Sequence, residues 1–131
     1  VEQVDVSALV KVREQARKAA EQSGVKLSYL PFIVKAVILA LKRYPIVNAV
    51  LDEAGGNIVL KKRYNIGIAT ATDQGLMVPV VHDADRLSLL DIGREIQRVS
   101  DAARAFKATR EELTGSTFTI TSLGTIGGVL A

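Results

Sequence analysis

The last sixteen residues, Ser116 to Ala131, run from a strand-like stretch, Thr-Phe-Thr-Ile-Thr over 117–121, into adjacent hydroxyls at Thr121 and Ser122 and a turn with glycines at 124, 127 and 128. A hydroxyl at the end of a rigid strand can donate to a developing oxyanion, and a small-residue turn lets a substrate approach it. The same residue types make ordinary turns, so spacing alone leaves both readings open. Hydroxyls cannot supply a general base. His82 is the single histidine and there is no cysteine. The base of such a reaction is therefore expected beyond Ala131, and the 131 residues alone are expected to be nearly inactive.

Other candidates are weaker. His82 stands beside Asp83 and Asp85, and a carboxylate can orient an imidazole. Neighbours on an extended chain face apart, however, and the two aspartates more simply open a turn with Arg86. Two carboxylates without a third ligand do not make a metal site, so no metal is expected. Arg13, read on the polar side of a first helix, and Ser28, read as the cap of a second, could converge on an anion at a helix N-terminus or could both be solvated surface. Gly67 and Gly75 fall in neither a dinucleotide-binding nor a Walker pattern.

The elements that must position these groups follow from periodicity. Residues 1–6 alternate like a strand with one wet face, and Ser7 offers an N-cap. Leu9, Val12, Ala16, Ala19 and Ala20 predict a helix that ends near Ser23 and Gly24. The apolar stretch Leu30 to Leu41, broken only by Lys35, predicts a helix buried on all sides, ended by Arg43, Tyr44 and Pro45. Residues 48–51 and 57–60 read as a hairpin, and 65–72 and 76–81 as two more strands, with Pro79 demanding an edge or a bulge. From Ser88, the spacing of Leu89, Ile92, Ile96, Val99, Ala103 and Phe106 predicts a long one-sided helix. Thr109 and Glu112 form a capping box, and 117–121 is the last strand. The class is α/β, a mixed sheet with helices packed on it.

Composition agrees with one domain: 131 residues, 48% of them hydrophobic, are enough for a core. The net charge of +3 comes from interspersed signs, which argues against a nucleic-acid surface. The 30–41 stretch is shorter than the roughly 20 residues that span a bilayer, so no membrane partner is expected. Absence of cysteine suits a reducing compartment. The sequence opens at Val1 without a basic-then-apolar signal, as expected of a processed or excised segment.

Seven stretches in register carry a resemblance: Val4–Leu9, Gly24–Phe32, Tyr44–Ala49, Tyr64–Ala69, Gly75–Val80, Asp83–Leu89 and Gly115–Gly124. Together they resemble the catalytic domain of dihydrolipoyl acyltransferases, the core component of 2-oxo acid dehydrogenase complexes. The resemblance implies a chloramphenicol-acetyltransferase-like fold, here the N-terminal portion of that domain, and trimers assembled into a larger symmetric core. The implied reaction moves an acyl group between coenzyme A, a substrate, and dihydrolipoamide on a separate lipoyl domain. Implied partners are the 2-oxo acid dehydrogenase and dihydrolipoamide dehydrogenase components, in the cytoplasm or, for a eukaryotic source, the mitochondrial matrix.

Carried over by position, Thr121 is the oxyanion stabiliser, Ser122 and Thr125 contact coenzyme A at the turn, Arg13 and Ser28 lie near its far end, and Ser100 meets it from the long helix. His82 falls where relatives often have Arg or Lys. Three departures stand out. Ala71 replaces a usual Asp, a Pro-His segment before Val1 is missing, and the Asp-His-Arg-x-x-Asp-Gly motif that carries the base does not occur. Two other readings share the fold: a non-catalytic core or docking paralogue, and an acyltransferase for a small free acceptor.

Overall fold

The computed structural model describes residues 2–122. Helix α1 spans Ser7–Gln22 and α2 spans Leu30–Arg43. A 3-10 turn at Pro45–Asn48 leads into the hairpin β1 (Ala49–Asp52) and β2 (Asn57–Leu60), paired antiparallel from Ala49↔Leu60 to Asp52↔Asn57. Then come β3 (Ile66–Ile68), β4 (Thr70–Thr72), β5 (Gly75–Met77) and β6 (Val80–Val81), the helix α3 (Leu89–Arg104) and β7 (Phe118–Ile120). The central sheet has the order β6-β3-β7, antiparallel on one side of β3 and parallel on the other, and β4 pairs β5 separately. The expected mixed sheet with packed helices is borne out.

Its core joins Val34, Ile38 and Leu41 of α2 to Ile66, Ile68 and Val81 of the sheet and Ile92, Ile96 and Val99 of α3. Each such side chain contributes about 1.5–3 kcal/mol by leaving water. A smaller cluster, Ala20, Val25 and Leu27, fastens α1 to the segment before α2.

Several expectations are corrected. Residues 2–6 form no strand, and Val4 is 77% exposed, because no strand among the described residues offers them a partner. Ser7 is not a cap: it is the first helical residue, and its N–H donates to the Asp5 carboxylate at 2.8 Å. Helix α2 is buried on one face only. Ile33 and Leu39, the latter 69% exposed, lie on the other, while Lys35 donates to the Leu87 carbonyl oxygen and so ties α2 to the start of α3. Ser28 does not cap α2, whose N-cap is Tyr29 with no side-chain cap bond. The strands 65–72 and 76–81 each divide. At Ala69 the chain turns its N–H to Ile120 of β7, and Pro79, with no N–H, separates β5 from the edge strand β6.

Asn65 fastens this arrangement. It is 6% exposed, and its side-chain amide donates to the Gly115 carbonyl oxygen (2.9 Å) while its side-chain oxygen accepts from Asp83 N–H (2.9 Å). Its own N–H donates to the Thr117 hydroxyl and its carbonyl accepts from Thr117 N–H at 2.8 Å. One side chain thus joins the start of β3, the turn after β6 and the entry to β7. Gly67 lies just beyond it. A Cβ there would stand 2.9 Å from both Thr119 and Val78 side chains, so only glycine lets the three strands approach.

Ser88 caps α3, accepting from Asp91 N–H at 3.1 Å. The helix ends at Arg104 rather than running through Phe106. Phe106 has φ +53°, its N–H bonds the Ala103 carbonyl and Lys107 N–H bonds that of Ala102, the Schellman closure. The capping box forms as spaced: Thr109 N–H donates to the Glu112 carboxylate (2.8 Å) and Glu112 N–H to the Thr109 hydroxyl (3.2 Å). Arg98 of α3, also paired with Glu95, reaches across to Glu112.

The Thr109 N–H and then Arg98 hold the Glu112 carboxyl below its ordinary value of 4.5. Its stabilisation is therefore present above that value and lost as pH falls through the depressed one. A Glu112→Gln variant keeps an acceptor for Thr109 N–H but loses the charge that pairs Arg98, so it should lose about 0.2–1 kcal/mol at neutral pH, and its melting temperature should fall less steeply on acidification than that of the parent. Parallel acid-side curves for the two proteins would remove Glu112 from the acid response.

Candidate functional site

Helix α3 presents one stripe, Gly93, Ile96, Gln97, Ser100 and Arg104, to a groove of about 630 Å³ whose opposite wall is Ile68 to Ala71. One end abuts the segment before α2. A Cβ on Gly93 would stand 3.1 Å from the Val25 side chain, and Lys26 and Ser28 line the groove there. Ser122, Ala71 and Arg104 line the other end. Arg104 lies eleven helical steps beyond Gly93, roughly 16 Å at 1.5 Å per step. The groove therefore gathers Ser28, Ser100 and Ser122, three of the positions singled out in the sequence, along one channel.

Why these residues meet follows from the sheet. Strands β3 and β7 run parallel, so Ala69–Ala71 and Thr121–Ser122 emerge at the same end, the end at which open α/β sheets bind ligands. Thr121 is exposed immediately after β7, and the Ile120 carbonyl before it is held by Ala69 N–H at 3.0 Å. A hydroxyl there has a rigid strand beneath it.

Ser100 is 6% exposed and 3.3 Å from the Thr70 hydroxyl. Thr70 donates its one proton to the Ile68 carbonyl at 3.1 Å. The proton between the two hydroxyls must then come from Ser100, which leaves the Ser100 oxygen with lone pairs only for a bound group. It is suited to accept an amide N–H.

Arg13 sits otherwise than its charge implied. It shares the inward face of α1 with Leu9, Ala16 and Ala20, its side chain is 25% exposed, and it does not line the groove. Its Nε–H donates to the Leu27 carbonyl at 3.0 Å, and its guanidinium lies 4.7 Å from the centre of the Tyr29 ring. It lies behind the wall that carries Ser28. His82 lines a separate cavity with Lys61, Lys62, Arg63 and Thr117, and its Nε2–H donates to the Glu111 carbonyl at 3.0 Å. Neither Asp83 nor Asp85 orients it: Asp83 takes φ +44° and Asp85 pairs Lys42 at 3.2 Å. Thr125 and the glycine turn lie outside the described residues. Among those residues no group of three or more His, Asp or Glu could hold a metal, and no helix is long and apolar enough to cross a membrane.

Lys26, Thr70, Arg104 and Asn65 were not singled out from the sequence. A signal existed for Asn65, an amide opening a strand of apolar residues, where strand propensity disfavours it. The other three are recognisable only once α3 is laid along β4.

Residues 1–131 match the family model described as 2-oxoacid dehydrogenases acyltransferase (catalytic domain). The dihydrolipoyllysine-residue acetyltransferase component of the pyruvate dehydrogenase complex of Staphylococcus aureus is 44% identical over 128 residues, 98% of this chain and 30% of that protein. Azotobacter vinelandii dihydrolipoamide acetyltransferase, in a structure concerned with a serine, a histidine and an asparagine in its catalytic mechanism, superposes with a TM-score of 0.93 at 38% identity. The cubic core of the pyruvate dehydrogenase multienzyme complex does so with the same TM-score and identity. In both, the match covers 97% of this chain and 52% of the other. The chain thus spans about a third of the curated relative and half of the solved ones.

Proposed function

This chain belongs to the 2-oxoacid dehydrogenase acyltransferase catalytic-domain family, and from that premise we propose that it moves an acyl group between coenzyme A and dihydrolipoamide carried on a lipoyl domain. The observation that carries the reading is the groove itself. It gathers Ser28, Ser100 and Ser122; Thr121 does not line it but is exposed and adjoins Ser122 in the chain.

On this reading the pantetheine arm of coenzyme A lies along α3, with an amide N–H on the Ser100 oxygen and the thiol beside Thr121. Attack of one thiol on the other's thioester carbonyl gives a tetrahedral oxyanion, to which the Thr121 hydroxyl donates. Collapse of that intermediate expels the second thiol. A base takes the proton of the attacking thiol and returns it to the leaving one. That role falls to the family's motif histidine, since His82 lines a different cavity. Ser122, with Thr125 in the turn, contacts coenzyme A near its thiol, and Arg13 acts at the far end.

The same reading places the domain in a symmetric core, within the cytoplasm or, for a eukaryotic source, the mitochondrial matrix, where the dehydrogenase and dihydrolipoamide dehydrogenase components work with it. Exposed apolar side chains support assembly: Leu39 on α2, and Leu51 and Ile58 on a hairpin that is exposed along nearly its whole length. A lone two-stranded ribbon is marginal in water and gains from cover.

The test is transfer of an acetyl group from acetyl coenzyme A to lipoyl-domain dihydrolipoamide by the full-length protein. Saturable transfer is expected. Transfer to a small free acceptor but not to dihydrolipoamide would assign the third reading, and coenzyme A binding without any transfer would assign a docking paralogue.

A further inference from the structure

The hairpin of β1 and β2 is charged oppositely at its two ends. Its tip carries Asp52 and Glu53 and no cation. A Cβ on Gly55 would stand 2.5 Å from an Asp52 carboxylate oxygen, and the Asn57 amide donates to the Gly55 carbonyl at 3.0 Å, so the carboxylate lies folded against a closed turn. The root carries Lys61, Lys62 and Arg63 in succession, all exposed. Among the described residues none of these five side chains has an ion-pair partner, whereas Arg94, Arg98 and Arg104 of α3 each have one.

The root is held in place from below. Asn48, 1% exposed, donates through its side-chain amide to the carbonyls of both Lys61 and Arg63 at 3.0 Å, and Lys61 N–H donates to the Asn48 carbonyl at 2.8 Å. The three cations, with His82, line a cavity of about 670 Å³ in which Glu111 is the one carboxylate among the described lining residues. Leu60 lines it as well, and so joins the cavity to one face of the hairpin. Residues directly opposite in an antiparallel ribbon share a face, which puts Ala49, Leu51, Ile58 and Leu60 together. None of the four is polar, and Leu51, Ile58 and Leu60 are each at least half exposed.

Such a ribbon is complementary to itself. Asn57, beside the acidic tip, is four strand steps from Lys61, roughly 14 Å at 3.4 Å each. Two copies laid antiparallel about a two-fold axis put each tip at the other's root and press the apolar faces together, as an isologous contact requires. Resting on the reading of the protein as part of a symmetric core, we propose that this hairpin is a two-fold contact between copies of the chain, with Asp52 and Glu53 of each seated in the Lys61–Arg63 cavity of the other. Burial of Leu51, Ile58 and Leu60 supplies adhesion, and the charges fix register and orientation. A face of four side chains is small beside the about 800 Å² per partner of a standard interface. The hairpin is therefore one contact among several in the core and not a dimer interface by itself.

The experiment measures the mass of the full-length protein by sedimentation, for two charge-reversed variants alone and mixed. Asp52→Lys with Glu53→Lys makes both ends of the ribbon basic, and Lys61→Glu with Lys62→Glu makes both acidic. Each variant alone sets like charges together at both ends of the contact, which should weaken it on the order of a hundredfold and leave a particle smaller than the parent's. A one-to-one mixture restores opposite charges at both ends and should regain the parental mass. All four side chains are exposed, so circular dichroism spectra should match the parent's.

Variants that keep the parental mass overturn the proposal. So do variants that lose it and do not recover it on mixing, a result that would assign the charges to an acidic partner or to another part of the chain. A parent that is itself monomeric sinks the symmetric-core reading and this contact with it, whereas acyl transfer by that monomer would leave the reading of the groove standing.

Discussion

Replacing Thr121 by alanine is expected to slow acyl transfer by a hundredfold to a thousandfold, about 2.7 to 4 kcal/mol of transition-state stabilisation, the usual cost of one oxyanion donor. Stability should hardly change. Thr121 is exposed, and β7 beneath it is held by backbone bonds to β3 and by the Ile120 carbonyl accepting from Ala69, none of which uses the Thr121 side chain. Loss of an interaction made only in the transition state lowers kcat and kcat/KM together, so KM for coenzyme A should stay near the parental value. Thr121→Ser, which keeps the hydroxyl, should recover most of the rate. Parental turnover by the alanine variant in the full-length protein would return Thr121 to a structural role.

Asn65→Ala should be the most damaging change to the fold. It removes the partners of Asp83 N–H and of the Gly115 carbonyl, two part-buried bonds to residues that are themselves exposed, each worth about 1 kcal/mol. A loss of about 2 kcal/mol, on the order of 8 °C in melting temperature, is expected. Asn65→Asp keeps the oxygen that Asp83 N–H donates to and loses only the donor to Gly115, so it should fall between parent and alanine variant. Because Asn65 also positions the entry to β7, the alanine variant should lose turnover at temperatures where it is still folded. A loss under about 1 kcal/mol would mean that water replaces the amide.

Local pattern made much of this fold legible. The Thr109–Glu112 box and the glycine-turn hairpin each depend on residues a few positions apart, and both form. What failed depended on partners far away in sequence. Residues 2–6 alternate like a strand but pair with no strand among the described residues, and α2 is apolar nearly all round although the described residues bury only one of its faces. Arg13 misled through its charge. It falls in the same stripe as Leu9, Ala16 and Ala20, and an arginine can bury its stem there while its head finds a carbonyl. At the site, Ser28, Ser100 and Ser122 were marked by resemblance, but the groove that unites them needs four elements from different parts of the chain.

The parallel pairing of β3 with β7 also sets a timetable for synthesis. Ile66 leaves the ribosome 52 residues before its partner Phe118, an interval on the order of 3 to 10 s at ordinary elongation rates. Through that interval the amide of Asn65 lacks Gly115 and one edge of β3, carrying Ile66 and Ile68, is open. Exposed apolar strand edges invite association with other chains. The nascent chain is expected to be most prone to such association just after α3 has emerged, until β7 docks on β3.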